Sequence, residues 1–145
     1  AVHYPPKKTI IISSVKSTRE LPLWIRLFKY IPIPKLIPGK LYLWMFMVLM
    51  WFKTLGSKSN HIIANLKNMA EDVNPNFVYW AANQIVKWNN PIIDFKAYHI
   101  HGRSDYLFPC FRIKNLNLRI EGGTHVMILT HVLKINEALS RELNS

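Results

Sequence analysis

The sequence predicts an α/β chain: a partial parallel sheet of about three strands with a helical excursion between the first and second. Three observations carry this. The run Lys7-Lys8-Thr9-Ile10-Ile11-Ile12-Ser13-Ser14 is β-branched and lacks the polar alternation of a half-exposed strand, which suits a parallel strand buried on both faces. Residues 61–88 show helical spacing of apolar side chains. Two further short strands, near 97–101 and 116–120, each run into a turn containing glycine.

Length and composition set the bounds. The chain has 145 residues, half of them hydrophobic and 19% charged, which suits one folded domain and excludes a disordered chain. Cys110 is the single cysteine, so an internal disulfide and a cysteine-based zinc site are excluded. That suits a reducing, cytoplasmic setting. The net charge is +11. It is uneven: residues 1–60 carry ten Lys/Arg against Glu20 alone, whereas residues 61–145 carry nine against seven acids. A basic half can meet nucleic acid, anionic lipid or an acidic partner, or be a solvated face. No nucleic-acid recognition motif accompanies the charge, which makes nucleic acid an unlikely partner. No signal-peptide pattern opens the chain; Ala1–Pro6 reads as the tail of a helix stopped by two prolines, so preceding polypeptide is expected.

In chain order, the strand ending at Ser14 comes first. Ser13 and Ser14 invite a nucleophile reading, but no glycine flanks them as a sharp strand-to-helix turn requires, so they read as strand-end hydroxyls. Residues 18–58 read as an excursion rather than part of the sheet. Leu21-Pro22 opens a short helix with Trp24, Ile25, Leu27 and Phe28 at helical spacing. Pro32, Pro34 and Pro38 then break regular structure. The most apolar run, Leu41 to Phe52, would give a helix of ~18 Å, short of the ~30 Å hydrocarbon core. It is expected to be a buried helix, to line an apolar ligand pocket, or, with Lys35, Lys40 and Lys53 nearby, to rest on a membrane surface. Ser59 or Asn60 caps a helix over 61–70, and Asn74-Pro75 starts another that Asn89-Asn90-Pro91 stops. From Met127 to Leu143, the residues Ile128, His131, Val132, Ile135, Ala138, Leu139 and Glu142 predict one last helix.

The chemistry lies at the later strand ends. Tyr98-His99-Ile100-His101-Gly102-Arg103-Ser104-Asp105 delivers Asp105, and Leu118-Arg119-Ile120-Glu121-Gly122-Gly123-Thr124-His125 delivers His125. An aspartate and a histidine at neighbouring strand ends are two members of a nucleophile–base–orienter triad. His99 and His101 share one strand face, but a third metal ligand at suitable spacing is missing, so no metal is expected. His131 and Ser104 read as structural, and nothing in the sequence marks Cys110 as a reactive thiol.

At these loops the sequence resembles the C-terminal half of the α/β-hydrolase fold. His101-Gly102-Arg103-Ser104-Asp105, followed by Leu107-Phe108-Pro109, matches the family's His–Gly–x–x–Asp acid loop; Gly122-Gly123-Thr124-His125 matches its Gly–Gly–x–His base loop. The resemblance implies that residues 1–14 and 91–145 are the sixth to eighth strands of the core and that 15–90 are the cap. It implies Asp105 as orienting acid, His125 as acid–base, no cofactor, and a small ester or acyl substrate with an apolar part. The Gly-x-Ser-x-Gly nucleophile motif does not occur in these residues. The serine is therefore expected upstream, in a missing N-terminal half that would be the chain's main partner, and the chain alone is expected to be inactive. The alternative is a hydrolase-derived chain kept as a non-catalytic binding module.

Overall fold

The computed structural model describes residues 6–27, 30, 41, 44, 60–90 and 96–144. Their elements, in order, are β1 (Ile10–Ile12), α1 (Leu23–Leu27), α2 (Asn60–Asp72), α3 (Pro75–Lys87), β2 (Tyr98–Gly102), a 3-10 turn (Cys110–Arg112), β3 (Leu118–Ile120), α4 (Met127–Thr130) and α5 (Val132–Asn144). The expected proline breaks at 32, 34 and 38 lie outside the described residues. So does the apolar run 41–52, apart from Leu41 and Trp44, both helical. No helix among the described residues is long and apolar enough to cross a membrane.

The three strands form one parallel sheet in the order β1-β2-β3. Ile10 pairs with Tyr98 and Ile12 with Ile100; Ile100 pairs with Leu118 and Gly102 with Ile120. Alternation along the strands then sorts the side chains into two faces. Ile100 and Ile120 pack with Met127, Ile135 and Ala138 into the core, and Ile10, Ile12, Tyr98, Leu118 and Leu139 close around them. On the opposite face of β2 stand His99 and His101, both fully buried.

That second face is polar inside. The His99 imidazole Nε2 donates to the Ser14 carbonyl at 3.0 Å. Its main chain is clasped by Asn117, which accepts from the His99 N–H at 2.8 Å and donates its own N–H to the His99 carbonyl at 3.0 Å. Glu20, 4% exposed, accepts from the Lys16 N–H and the Lys114 N–H, at 2.6 and 3.0 Å. One carboxylate thereby ties the segment leaving β1 to the segment entering β3. Ser13 makes this return possible: at φ 49° it turns the chain at the end of β1, with its Oγ buried and without a hydrogen-bond partner among the described residues.

The expected last helix is in fact two. His131 leaves helical geometry at φ −125° and ψ 37°, and Thr130 Oγ1 bonds its Nδ1 at 2.7 Å. The break lets each piece bury a different side. Met127 of α4 enters the core, and Ile135 and Ala138 of α5 follow, while Ile128 and Val132 of the expected stripe face solvent. The helix start at Asn74-Pro75 is as expected: Asn74 Oδ1 accepts from the Asn76 N–H at 2.9 Å.

Candidate catalytic base and its orienting acid

The ends of β2 and β3 are adjacent because the strands pair in parallel, so the loops that follow them meet. Main-chain bonds lock the meeting. The Arg103 N–H donates to the Ile120 carbonyl at 3.0 Å, and the Ser104 N–H to the Gly123 carbonyl at 2.9 Å. The approach is close enough to demand glycine. A Cβ on Gly102 would lie 2.2 Å from the Gly123 carbonyl oxygen, and Gly122 sits at φ +70°. An exposed Arg103–Glu121 ion pair, at 3.0 Å, bridges the same two loops at the surface.

Asp105 is buried at this junction with a donor on every side. Its Oδ1 accepts from the Leu107 and Phe108 N–H groups, each at 2.9 Å. Its Oδ2 lies 3.1 Å from His125 Nδ1 and 3.3 Å from His101 Nε2. The loop supplies a carboxylate with the hydrogen bonds it loses from water, the condition for holding a charge inside a protein. Because Asp105 can only accept while ionised, His125 carries its proton on Nδ1. The lone pair then resides on Nε2, on a side chain that is 22% exposed. A base with one nitrogen fixed on a carboxylate and its lone pair on the other nitrogen of a partly exposed ring can take a proton from a nucleophile.

The two residues singled out for this chemistry are therefore placed together. Ser13 and Ser14 lie just past the end of β1: Ser13 holds the left-handed turn there, and the Ser14 carbonyl accepts from His99. Cys110 is buried and unpaired. His99 and His101 stand with ring centroids 5.7 Å apart, and both commit Nε2 to main-chain carbonyls, of Ser14 and Phe108. Among the described residues no cluster of three His, Cys, Asp or Glu could hold a metal.

Two contributors escaped the sequence reading. His101 does more than fill the acid-loop pattern: its Nε2 donates at 2.8 Å to the Phe108 carbonyl while reaching toward Asp105. Phe108 is the other. It donates its N–H to Asp105, accepts from His101, and sets its ring edge-on to His125 at 5.3 Å. Its place just after the acid loop was the available signal. His99 is buried neutral, with its pKa lowered to about 4, chiefly by burial and further by the charge of Lys16 and by His101. No family model, curated protein or solved structure matches the chain.

Proposed function

We propose that this chain supplies the acid–base histidine and its orienting aspartate to a serine-dependent hydrolase of α/β-hydrolase type, acting on small esters or acyl compounds with an apolar part. The observation that carries the reading is the 3.1 Å contact between buried Asp105 Oδ2 and His125 Nδ1 across two adjacent parallel strand ends. The sequential order of three parallel strands supports it further. In this reading a serine hydroxyl, carried by polypeptide outside these residues, passes its proton to His125 Nε2 as its oxygen attacks the substrate carbonyl. Asp105 stabilises the imidazolium through Nδ1–H, and Nε2–H then protonates the leaving group. A cytoplasmic setting accords with a lone, buried Cys110.

The test is labelling of the complete protein with a fluorophosphonate, which reacts with activated serines. Covalent labelling of the wild type that is lost in His125→Ala supports the reading. Absence of labelling in the properly folded complete protein overturns it. The second reading, a hydrolase-derived binding module without catalysis, then takes its place; the lack of a Gly-x-Ser-x-Gly motif among these residues is what favours it.

A further inference from the structure

A groove of about 790 Å³ opens at the opposite ends of the strands from Asp105 and His125. Its lining gathers charge from segments far apart in sequence. Lys7 and Lys8 precede β1, Lys96 precedes β2, and Arg112 and Lys114 precede β3. Lys16 and Arg19 reach it from the segment that returns along the histidine face. Seven cations thus surround one cavity, and the carboxylates that share its wall are Glu20 and Glu142.

Several of these cations are held in place by neutral groups. Lys16 Nζ donates to the Lys114 carbonyl at 2.7 Å, and Arg112 Nη2 to the Arg19 carbonyl at 3.3 Å; both acceptors are neutral. Glu20 keeps its charge but directs both carboxylate oxygens to the main-chain N–H groups of Lys16 and Lys114, so it offsets only part of the positive field. Among the described residues, no ion pair engages Lys7, Arg19, Lys96, Arg112 or Lys114. Like charges held around a concave, protein-walled space repel one another, and they focus a field that an anion relieves.

We propose that this groove binds a compact, multiply charged phosphate anion, free in solution or as the headgroup of a lipid. The lining selects this class over other polyanions. Tyr98 is its one aromatic residue, so a single-stranded nucleic acid would find no succession of stacking platforms. Its apolar members are the partly buried Ala97 and Leu116, which offer no wedge for insertion into a bilayer. A phosphate cluster needs neither, only several donors converging on one volume. The site is separate from the proposed catalytic residues and stands whether or not they act in hydrolysis.

Calorimetric titration of the complete protein with inorganic tripolyphosphate tests it. Saturable binding is expected, weakening roughly tenfold when salt rises from about 50 mM to about 200 mM, as short-range charge attraction is screened. The double variant Lys96→Glu/Lys114→Glu, at two exposed positions, should weaken binding by about tenfold or more. The charge-matched pair Lys87→Glu/Lys134→Glu, exposed and outside the groove, should leave it within about twofold. Circular dichroism verifies that all variants fold. Tighter retention on phosphatidylcholine vesicles carrying phosphatidylinositol bisphosphate than on phosphatidylserine vesicles of equal charge assigns the source to a lipid headgroup; tripolyphosphate binding without it assigns a soluble phosphate. The proposal is overturned by absence of saturable tripolyphosphate binding, by equal weakening in both variant pairs, or by binding to oligothymidylate alone.

Discussion

At the scale of single residues, Asp105 decides which nitrogen of His125 is basic. Asp105→Asn keeps the side-chain shape but can present only one acceptor oxygen. If that oxygen stays on the Leu107 and Phe108 N–H groups, the new NH₂ faces His125 and forces the imidazole proton onto Nε2. The base is then lost while the loop persists. Nitrogen-15 NMR of His125 should show the tautomer exchanged, and, under the proposed function, the complete protein should lose on the order of 10⁴-fold in kcat. Unchanged imidazole shifts in the variant would refute the assignment. Gly102→Ala tests the junction itself. Its Cβ would sit 2.2 Å from the Gly123 carbonyl oxygen and 2.6 Å from the carbonyl carbon, main-chain atoms with nowhere to move. A loss of about 2–3 kcal/mol in urea unfolding is expected, against almost none for Ser104→Ala, whose side chain lies in the neighbouring turn. Both loops were legible in the sequence because glycine next to an ionisable residue at a strand end is local information. Phe108 was not, since its role is carried largely by main-chain groups that any residue could supply.

At the scale of elements, the polar face of β2 makes stability depend on pH. His99 has a folded pKa of about 4 against an ordinary 6.5, because burial disfavours its charged form. Below pH 6.5 the unfolded chain takes up a proton that the folded chain refuses until about pH 4. The stabilisation is therefore fully present above pH 6.5 and lost as pH falls toward 4, by on the order of 3 kcal/mol. Urea midpoints measured across this window should fall more steeply for the wild type than for His99→Gln; equal slopes would refute the account. Glu20 joins elements in the same region. Glu20→Gln replaces one of its two acceptors with a donor facing a main-chain N–H, and about 2 kcal/mol should be lost. Neither residue announced its role in the sequence. Glu20 was visible only as the lone acid of a basic half, and its partner Lys114, like the Ser14 carbonyl that holds His99, lies far away in the chain. The broken last helix was hidden for a related reason. Ile128 and Val132 fit a continuous apolar stripe, and only the depth at which Met127 is drawn into the sheet shows why the helix turns at His131.

At the scale of the whole molecule, the β1 edge of the sheet is open among the described residues. β1 pairs with β2 through Thr9, whose carbonyl accepts from Tyr98 N–H at 2.9 Å, and through Ser13, whose N–H donates to the Ile100 carbonyl at 3.1 Å. In a parallel ladder the intervening Ile10 and Ile12 must then direct their N–H and C=O groups to the other edge. Among the described residues no strand receives them. A short, β-branched edge without proline or an inward charge is a template for further pairing. The chain by itself should therefore associate or unfold at low denaturant, and, under the proposed function, joining it to the polypeptide that carries the serine should cure both. Sedimentation velocity across a range of concentrations reads the association. Amide exchange at Ile10 and Ile12 reads the edge directly: fast in dilute chain, slowed when a strand is added. A monomer that unfolds cooperatively, with these two amides already protected, would show that the edge is covered from within the chain and would remove the need for a second half. The basic groove sharpens that experiment, because Lys7 and Lys8 immediately precede this strand. Phosphate bound there should hold the start of β1 and raise the unfolding midpoint without slowing exchange at Ile10 and Ile12, whereas an added strand should do both.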